Sequence, residues 1–266
     1  MCGIAGYSLS SDSQVERTLA AQALLAGIAE RGADAVGYAH RGGSEPASVH
    51  KQRSGASALL EQISVPIDSS QVLVHVRDYT KGHPTIAANN HPIRHGAVVG
   101  IHNGIIVNDE EIFAAHCFER AEPEMTVDSE AIFALVDAFG TRPEALASAL
   151  EQLRGAMAAA WLDERRPELL FLARGTGRPL WIGRARRELF FASTKHALEV
   201  VERTLRLRLR KSELPEGALA FVAGGDVTDR RRFRAGAYVE ADPLPPVRAP
   251  HEGQACLQAL AALYAA

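Results

Sequence analysis

Cys2, directly behind the initiator methionine, is the residue with the most chemical potential in this chain. Removal of Met1 would leave it with a free α-amine, a group whose ordinary pKa of about 7.7–8.0 lies close to neutral pH. Such an amine takes the proton of its own thiol, so one residue supplies both nucleophile and general base. The same position also suits a small apolar residue on a first strand, and position alone does not separate the two readings. Cys117 and Cys256 fall in runs that read as helices and are expected to be filler.

Other clusters promise less. His91 and His95 are four apart, but Pro92 lies between them and works against a shared helix face, so no metal site is expected. Arg174, Gly175 and Gly177 are not followed by the Gly-Lys-Ser/Thr that a phosphate loop requires, and no cofactor is expected. Asp78 and Lys81 are three apart and opposite in sign, so they could pair with each other. Arg206 to Lys211 and Arg230 to Arg234 read as solvated basic faces, the first also as a candidate docking surface.

Elements must hold these residues. Residues 2–9 read as a strand, and Ser13 with Glu16 three residues on reads as the capping box of a helix ending near Arg31 and Gly32. Val36 to Ala39, Val72 to Val76 and Ala97 to Ile101 are apolar runs expected as strands. Residues 41–70 leave room for a short strand and a helix. A Gly-, Pro- and Asn-rich stretch before Ala97 predicts a long ordered loop. Three helices follow: one capped by Asn108 with Glu111, one from Thr126 through Val136, and one capped by Thr141 with Glu144 and ending near Leu153. The runs 156–163, 168–173, 179–184 and 188–193 suggest antiparallel hairpins. Leu205, Leu207 and Leu209 alternate with arginines, which predicts a strand, and 217–222 predicts the last one. Pro243, Pro245, Pro246 and Pro250 mark a linker before a short helix bearing Leu257, Leu260 and Tyr264. The expected organisation is one domain over 1–240, with linker and helix over 241–266. Strands and helices come in groups, which argues α+β with antiparallel sheets over an alternating parallel fold.

Composition narrows the class. A net charge of −3 gives no general attraction to nucleic acid. No apolar stretch approaches the ~18 residues of a membrane helix, and the start lacks a basic, then apolar, leader. A cytoplasmic protein with reduced thiols is therefore expected.

The motifs MCGIAGY (1–7), RGADAVGY (31–38), HVRDYTKGHPTIAANNHPI (75–93), GIHNGIIVN (100–108), VDSEAI (127–132), LRGAMAAAWLD (153–163), RGTGRPLWIG (174–183) and FFASTKHAL (190–198) occur in one order. That ordered set resembles the class II glutamine amidotransferases, and most closely the glutaminase half of glucosamine-6-phosphate synthase. The resemblance implies a four-layer αββα sandwich of two antiparallel sheets, the N-terminal nucleophile hydrolase architecture. It implies L-glutamine as substrate, attacked by Cys2 to give a glutamyl thioester and ammonia. Asn103 and the Gly104 N–H match the family's oxyanion donors, although Asn-Gly is also a common tight turn. Arg77 matches the carboxylate clamp and Asp128 the acid that receives the α-ammonium, otherwise a solvated strand-end charge and a first-turn helix acid. Thr80 and Gly82 match the loop that closes over glutamine. Arg31 and Asp34 match a segment supporting the nucleophile's strand, and His75 and His102 are expected nearby without acting as bases. Relatives carry an aromatic after the arginine and a histidine after the threonine, where this chain has Asp78 and Lys81. The family feeds ammonia to a fused acceptor domain. None is recognisable here, so a separate synthetase or transferase subunit is the expected partner. The alternatives are a free-standing glutaminase and a non-catalytic glutamine-binding subunit.

Overall fold

Gly155–Asp163 is buried at every position although alanine, the best helix former, dominates it. Met157, Ala159 and Trp161 enter one apolar cluster, and Ala158, Ala160 and Leu162 enter another. A strand apolar on both faces must lie between two layers, and small side chains let those layers approach closely.

The computed structural model describes residues 1–241 and 245–265. Its strands are β1 (Gly3–Leu9), β2 (Ala35–Gly42), β3 (Ser48–Gln52), β4 (Ser69–Arg77), β5 (Ile93–His95), β6 (Val98–Ile106) and β7 (Gly155–Asp163). They continue with β8 (Leu170–Arg174), β9 (Trp181–Arg184), β10 (Glu188–Ala192), β11 (Arg210–Glu213), β12 (Ala218–Ala223) and β13 (Asp226–Arg232). Helices are α1 (Arg17–Ile28), α2 (Ser57–Leu60), α3 (Asp109–His116), α4 (Glu130–Phe139), α5 (Pro143–Leu150), α6 (Lys195–Leu205) and α7 (Pro250–Ala265). A seven-stranded sheet runs β11-β9-β10-β1-β4-β2-β3 and a six-stranded sheet runs β13-β12-β8-β7-β6-β5. All strand pairs within them are antiparallel.

Three apolar clusters define the layers. Ile4, Leu73, Val99, Ile101 and Phe191 fill the space between the sheets. Tyr7, Val74 and Phe190 pack outward against Leu24, Leu25, Leu198 and Val201 of α1 and α6. Trp161, Phe171 and Phe221 pack the opposite way against Ile132, Phe133 and Leu146 of α4 and α5. The result is the α+β, four-layer αββα sandwich. Helix α7 adds to the first helical layer, with Cys256 buried there. No helix among the described residues is long and apolar enough to cross a membrane.

Several local expectations are corrected. Glu16 itself caps α1 by accepting from the Thr18 and Leu19 N–H groups, while the Ser13 hydroxyl donates to Glu188 at 2.7 Å. Asn108 stands at the cap position of α3, but its side chain bridges the Gln152 carbonyl and the Arg154 N–H. Helix α4 begins at Glu130, not Thr126, and α5 opens with Pro143 at its first position, without a Thr141 cap. Leu205 ends α6, and Arg206 is its left-handed cap (φ 54°), so of the alternating Leu/Arg run only Arg210 enters a strand, the edge strand β11. Leu198, Val201 and Leu205 recur three and four residues apart, a helix period, and α6 took Leu205. Strand β13 extends the second sheet beyond the strand expected to be last. Cys117 is an exposed left-handed cap, not helix filler. Pro243, in the expected linker, lies outside the described residues.

Candidate active site

Cys2 stands just before β1, the centre of its sheet, with β10 on one side and β4 on the other. Strand alternation puts Cys2 on the same face as Ile4, which points between the two sheets. The Arg31 Nε donates to the Cys2 carbonyl at 2.8 Å, fixing the end of the strand. The Cys2 thiol donates to the Asp78 carbonyl at 3.5 Å. Burial pushes the thiol's pKa up. The Met1 amine is ion-paired with the Asp78 carboxylate.

Strand β4 ends on Arg77 beside the Gly3–Val76 pair. Arg77 is 2% exposed, so it is not a solvated strand-end charge. Its Nη1 donates to Asn90 Oδ1 at 2.5 Å, and its Nη2 donates to the carbonyls of Lys81 and Gly82. The guanidinium therefore shapes the following loop. Gly82 adopts φ +78°, and a Cβ there would sit 2.9 Å from Asn89 and 3.0 Å from the Val127 backbone. Asn89 Oδ1 accepts from the Thr126 and Val127 N–H groups, tying this loop to the segment that carries Asp128.

Asn103 and Gly104 lie inside β6, opposite Ala158 and Met157, so the dipeptide is not a turn. Asn103 shares the alternation of Ile101 and faces the space between the sheets. It is fully buried, yet neither its Oδ1 nor its Nδ2 has a partner. Such orphaned amides are rare in native cores and mark a group held for something else. Gly104 adopts φ +148°, and a Cβ would fall 1.9 Å from the Ala156 carbonyl oxygen. Only glycine permits this break in the pleat.

Asp128 immediately precedes Ser129, the N-cap of α4, rather than lying in the helix's first turn. Its Oδ2 accepts from the Ile106 N–H at 2.6 Å, and burial raises its pKa to about 6. Ser129 bonds His102 Nδ1 at 2.8 Å, and His75 Nε2 bonds the His102 carbonyl at 3.1 Å. Burial lowers His75 and His102 to about 3 and holds His91 well below its ordinary value, so all three rings are neutral at pH 7. They are unsuited to charge chemistry and pack the floor, with His75 stacked on His91 at 4.2 Å.

Asp78 and Lys81 do not pair. Lys81 reaches Asp109 at 2.5 Å and Glu110 at 3.3 Å on the first turn of α3, while Asp78 also meets Arg248 at 3.2 Å. Sequence spacing could not reveal partners that lie 28 and 170 residues away.

Cys2, Arg77, Thr80, His102, Gly104 and Asp128 line one cleft, together with Tyr79, Lys81, His91, Val127 and Ser129. Its interior is about 10 Å³, room for roughly one water. Asn103 lies next to that lining, and Gly82 acts on it through Arg77. Arg31 and Asp34 stay outside it: Arg31 holds Cys2, and Asp34 Oδ2 accepts from the Tyr79 N–H at 2.9 Å. Sequence reasoning assigned nothing to Ser129, Asn89, Asn90 or Arg178. The double asparagine before His91-Pro92 was the available signal for two of them. Among the described residues no group of His, Cys, Asp and Glu could hold a metal ion.

Two antiparallel sheets packed between helical layers, with a cysteine just before the central strand, form the architecture of the N-terminal nucleophile hydrolases. Residues 80–200 match the family model described as a glutamine amidotransferase domain. Over 212 residues the chain is 34% identical to glutamine–fructose-6-phosphate aminotransferase (isomerizing) of Escherichia coli O6:H1, covering 76% of this chain and 33% of that protein. The corresponding protein of Shouchella clausii is 27% identical over 251 residues, covering 88% and 39%. The chain thus spans about a third of the length of these relatives. Among solved structures, glutamine phosphoribosylpyrophosphate amidotransferase from B. subtilis superposes with a TM-score of 0.66 at 19% identity, over 87% of this chain and 49% of that one. An allosteric regulatory enzyme of purine biosynthesis superposes at 0.69 and 20%, with the same coverage. The chain thus carries a match to a glutamine amidotransferase domain over residues 80–200, and its relatives and structural neighbours resemble the class II glutamine amidotransferases.

Proposed function

We propose that this protein hydrolyses L-glutamine to glutamate and ammonia through a Cys2 thioester. The observation that carries this reading is the convergence of Cys2, Arg77, Gly104 and Asp128 on one cleft, beside the orphaned Asn103 amide. After Met1 is removed, the α-amine takes the thiol proton and the sulfur attacks the side-chain carboxamide carbon. Asn103 Nδ2 and the Gly104 N–H receive the oxyanion, each such donor being worth about 2.7–4 kcal/mol in known cases. Collapse breaks the C–N bond, and the proton held by the amine leaves with ammonia. Water, deprotonated by the same amine, then hydrolyses the thioester. The Arg77 guanidinium offers its remaining N–H groups to the α-carboxylate. Asp128, ionised above about pH 6, receives the α-ammonium. Thr80 and Gly82 belong to the segment that closes over the substrate, while Arg31, Asp34 and His102 keep the strand, loop and floor in place.

The ammonia is passed, in this reading, to an acceptor on a separate polypeptide. Beyond β13 the chain comes back to the mouth of the site at Arg248, which pairs with Asp78, and α7 packs on α1 and α2. The domain boundary proposed near residue 240 places that returning segment with α7.

The test is treatment with a glutamine analogue bearing an electrophilic carbon in place of the amide. Intact mass and peptide mapping should show Met1 absent and one adduct on Cys2, with glutamate release lost in Cys2→Ala. Retained Met1 in active protein, or hydrolysis surviving in Cys2→Ala, refutes the mechanism. Glutamate release that rises on addition of a candidate acceptor enzyme supports the separate-subunit reading. Full turnover unaffected by any acceptor refutes it.

A further inference from the structure

Among the described residues, Asp78 is the one carboxylate ion-paired with the terminal amine. It follows Arg77 at the end of β4, and its own carbonyl accepts from the Cys2 thiol. Its carboxylate has a second partner, the Arg248 Nε, at 3.2 and 3.4 Å. Arg248 is itself anchored: its N–H and that of Ala249 donate to the Glu30 carbonyl at 2.9 and 2.8 Å. Glu30 adjoins Arg31, which holds the Cys2 carbonyl. Helix α7 secures the segment from the other side, since Glu252 accepts from the Ser57 N–H at 2.8 Å. The carboxylate is thus pinned at the mouth of the site by a residue from just before α7.

We propose that Asp78 is a positioning residue for the general base: in the processed protein it is the counter-ion of the Cys2 α-ammonium, and Arg248 holds it in place and moderates its charge. Successive α-carbons are 3.8 Å apart, so the amine exposed by removing Met1 lies within a side-chain rotation of the carboxylate that now holds the Met1 amine. This inference rests on the glutaminase reading for its kinetic readout but not for its geometry.

The charges facing the amine set the sign. Arg31 from the turn after α1, Arg77 from the end of β4, Arg178 from the segment before β9 and Arg248 all favour the neutral amine. Arg178 is offset by Glu240 at 2.8 Å, Glu30 lies beside Arg31, and Asp34 lies beside Arg77. Asp78 favours the ammonium. Removing its charge therefore lowers the amine's pKa, and removing Arg248 raises it.

The experiment uses the full chain. Met1 removal is first verified by mass. The pH dependence of kcat/KM for glutamine is then measured for wild type, Asp78→Asn and Arg248→Gln. The acidic limb should move down by about one pH unit in Asp78→Asn, so that this variant outperforms wild type at the acidic end, and up in Arg248→Gln. A merely structural role would lower activity at every pH with the limb unmoved, which would overturn the proposal. The second readout needs no turnover. In a Cys2→Ala background the α-amine is labelled by reductive methylation with ¹³C-formaldehyde and titrated by NMR, with and without Asp78→Asn. A lower titration midpoint in the Asp78→Asn protein supports the assignment, and an equal one refutes it. A shifted amine in a protein without hydrolysis leaves this inference standing and removes the glutaminase reading. Hydrolysis with an unshifted amine does the reverse.

Discussion

Asp128→Asn should stabilise the protein at neutral pH while abolishing productive glutamine binding. The carboxyl is 3% exposed and has one firm donor, the Ile106 N–H at 2.6 Å, so burial dominates and holds its pKa at about 6 instead of 3.8. Because the folded value is raised, the native state binds more protons than the unfolded state between about pH 4 and pH 6, and stability falls as pH rises through that window. At 1.36 kcal/mol per pH unit the ionised carboxylate costs about 3 kcal/mol above pH 6 and nothing below pH 4. Asparagine retains an oxygen for the Ile106 N–H but carries no charge. Urea unfolding at pH 3.5 and pH 7.5 gives the comparison. The variant's stability relative to wild type should improve by up to about 3 kcal/mol between the two conditions, with glutamate release lost. A difference independent of pH would mean that Asp128 does not bear an uncompensated buried charge, and its assignment as the ammonium receptor would fall with it.

Asn103→Ala should lower kcat by roughly 10²–10³ while leaving the urea midpoint little changed, because the amide it removes has no partner in the core. Gly104→Ala should be far more damaging to the fold: a Cβ 1.9 Å from the Ala156 oxygen at φ +148° must displace β6 or β7, at a cost of about 2–5 kcal/mol in denaturant unfolding. Lys81→Ala should lower KM for glutamine and weaken the salt dependence of KM, since the tie of the 78–82 loop to Asp109 and Glu110 must loosen for glutamine to enter; an unchanged KM would show that the tie does not govern entry.

The layers were legible because their signals are local. Apolar runs such as 72–76 and 156–163 are buried on both faces, and grouped strands and helices point to stacked layers without any need for partners. What misled was signal shared by two structures. Leu205, Leu207 and Leu209 satisfy a strand, but Leu205 closes α6 and Arg206 turns the chain at φ 54°. Asn-Gly at 103–104 reads as a turn, whereas β6 runs straight through it because β7 supplies nine opposed residues. Caps failed for a related reason: Ser13 and Asn108 have cap chemistry, but Glu188, Gln152 and Arg154 offered them tertiary partners.

The site was legible only as far as motif order reaches. The ordered motifs named the residues that come together in the cleft, but not the charges that govern how it opens. Asp78 and Lys81 stand three apart in sequence and serve opposite sides of the same loop. Lys81 fastens it to α3 through Asp109, a contact whose acceptor is buried and whose lysine stays charged because Asp109 and Glu110 raise its pKa. Asp78 fastens its other end to the chain terminus and to Arg248. Asp78 and Lys81 thus make two ionic ties, one to the second sheet's helical layer and one to the segment leading into α7. A loop closed by packing opens when substrate competes for apolar surface. One closed by ion pairs opens when charge is screened or displaced. Glutamine, which brings both a carboxylate and an ammonium, has the charges to loosen such ties as it binds. Access to Cys2 should therefore depend on ionic strength, with alkylation of the thiol faster in high salt. In Lys81→Ala that rate should already be high in low salt, and a rate indifferent to both salt and substitution would refute the ionic latch.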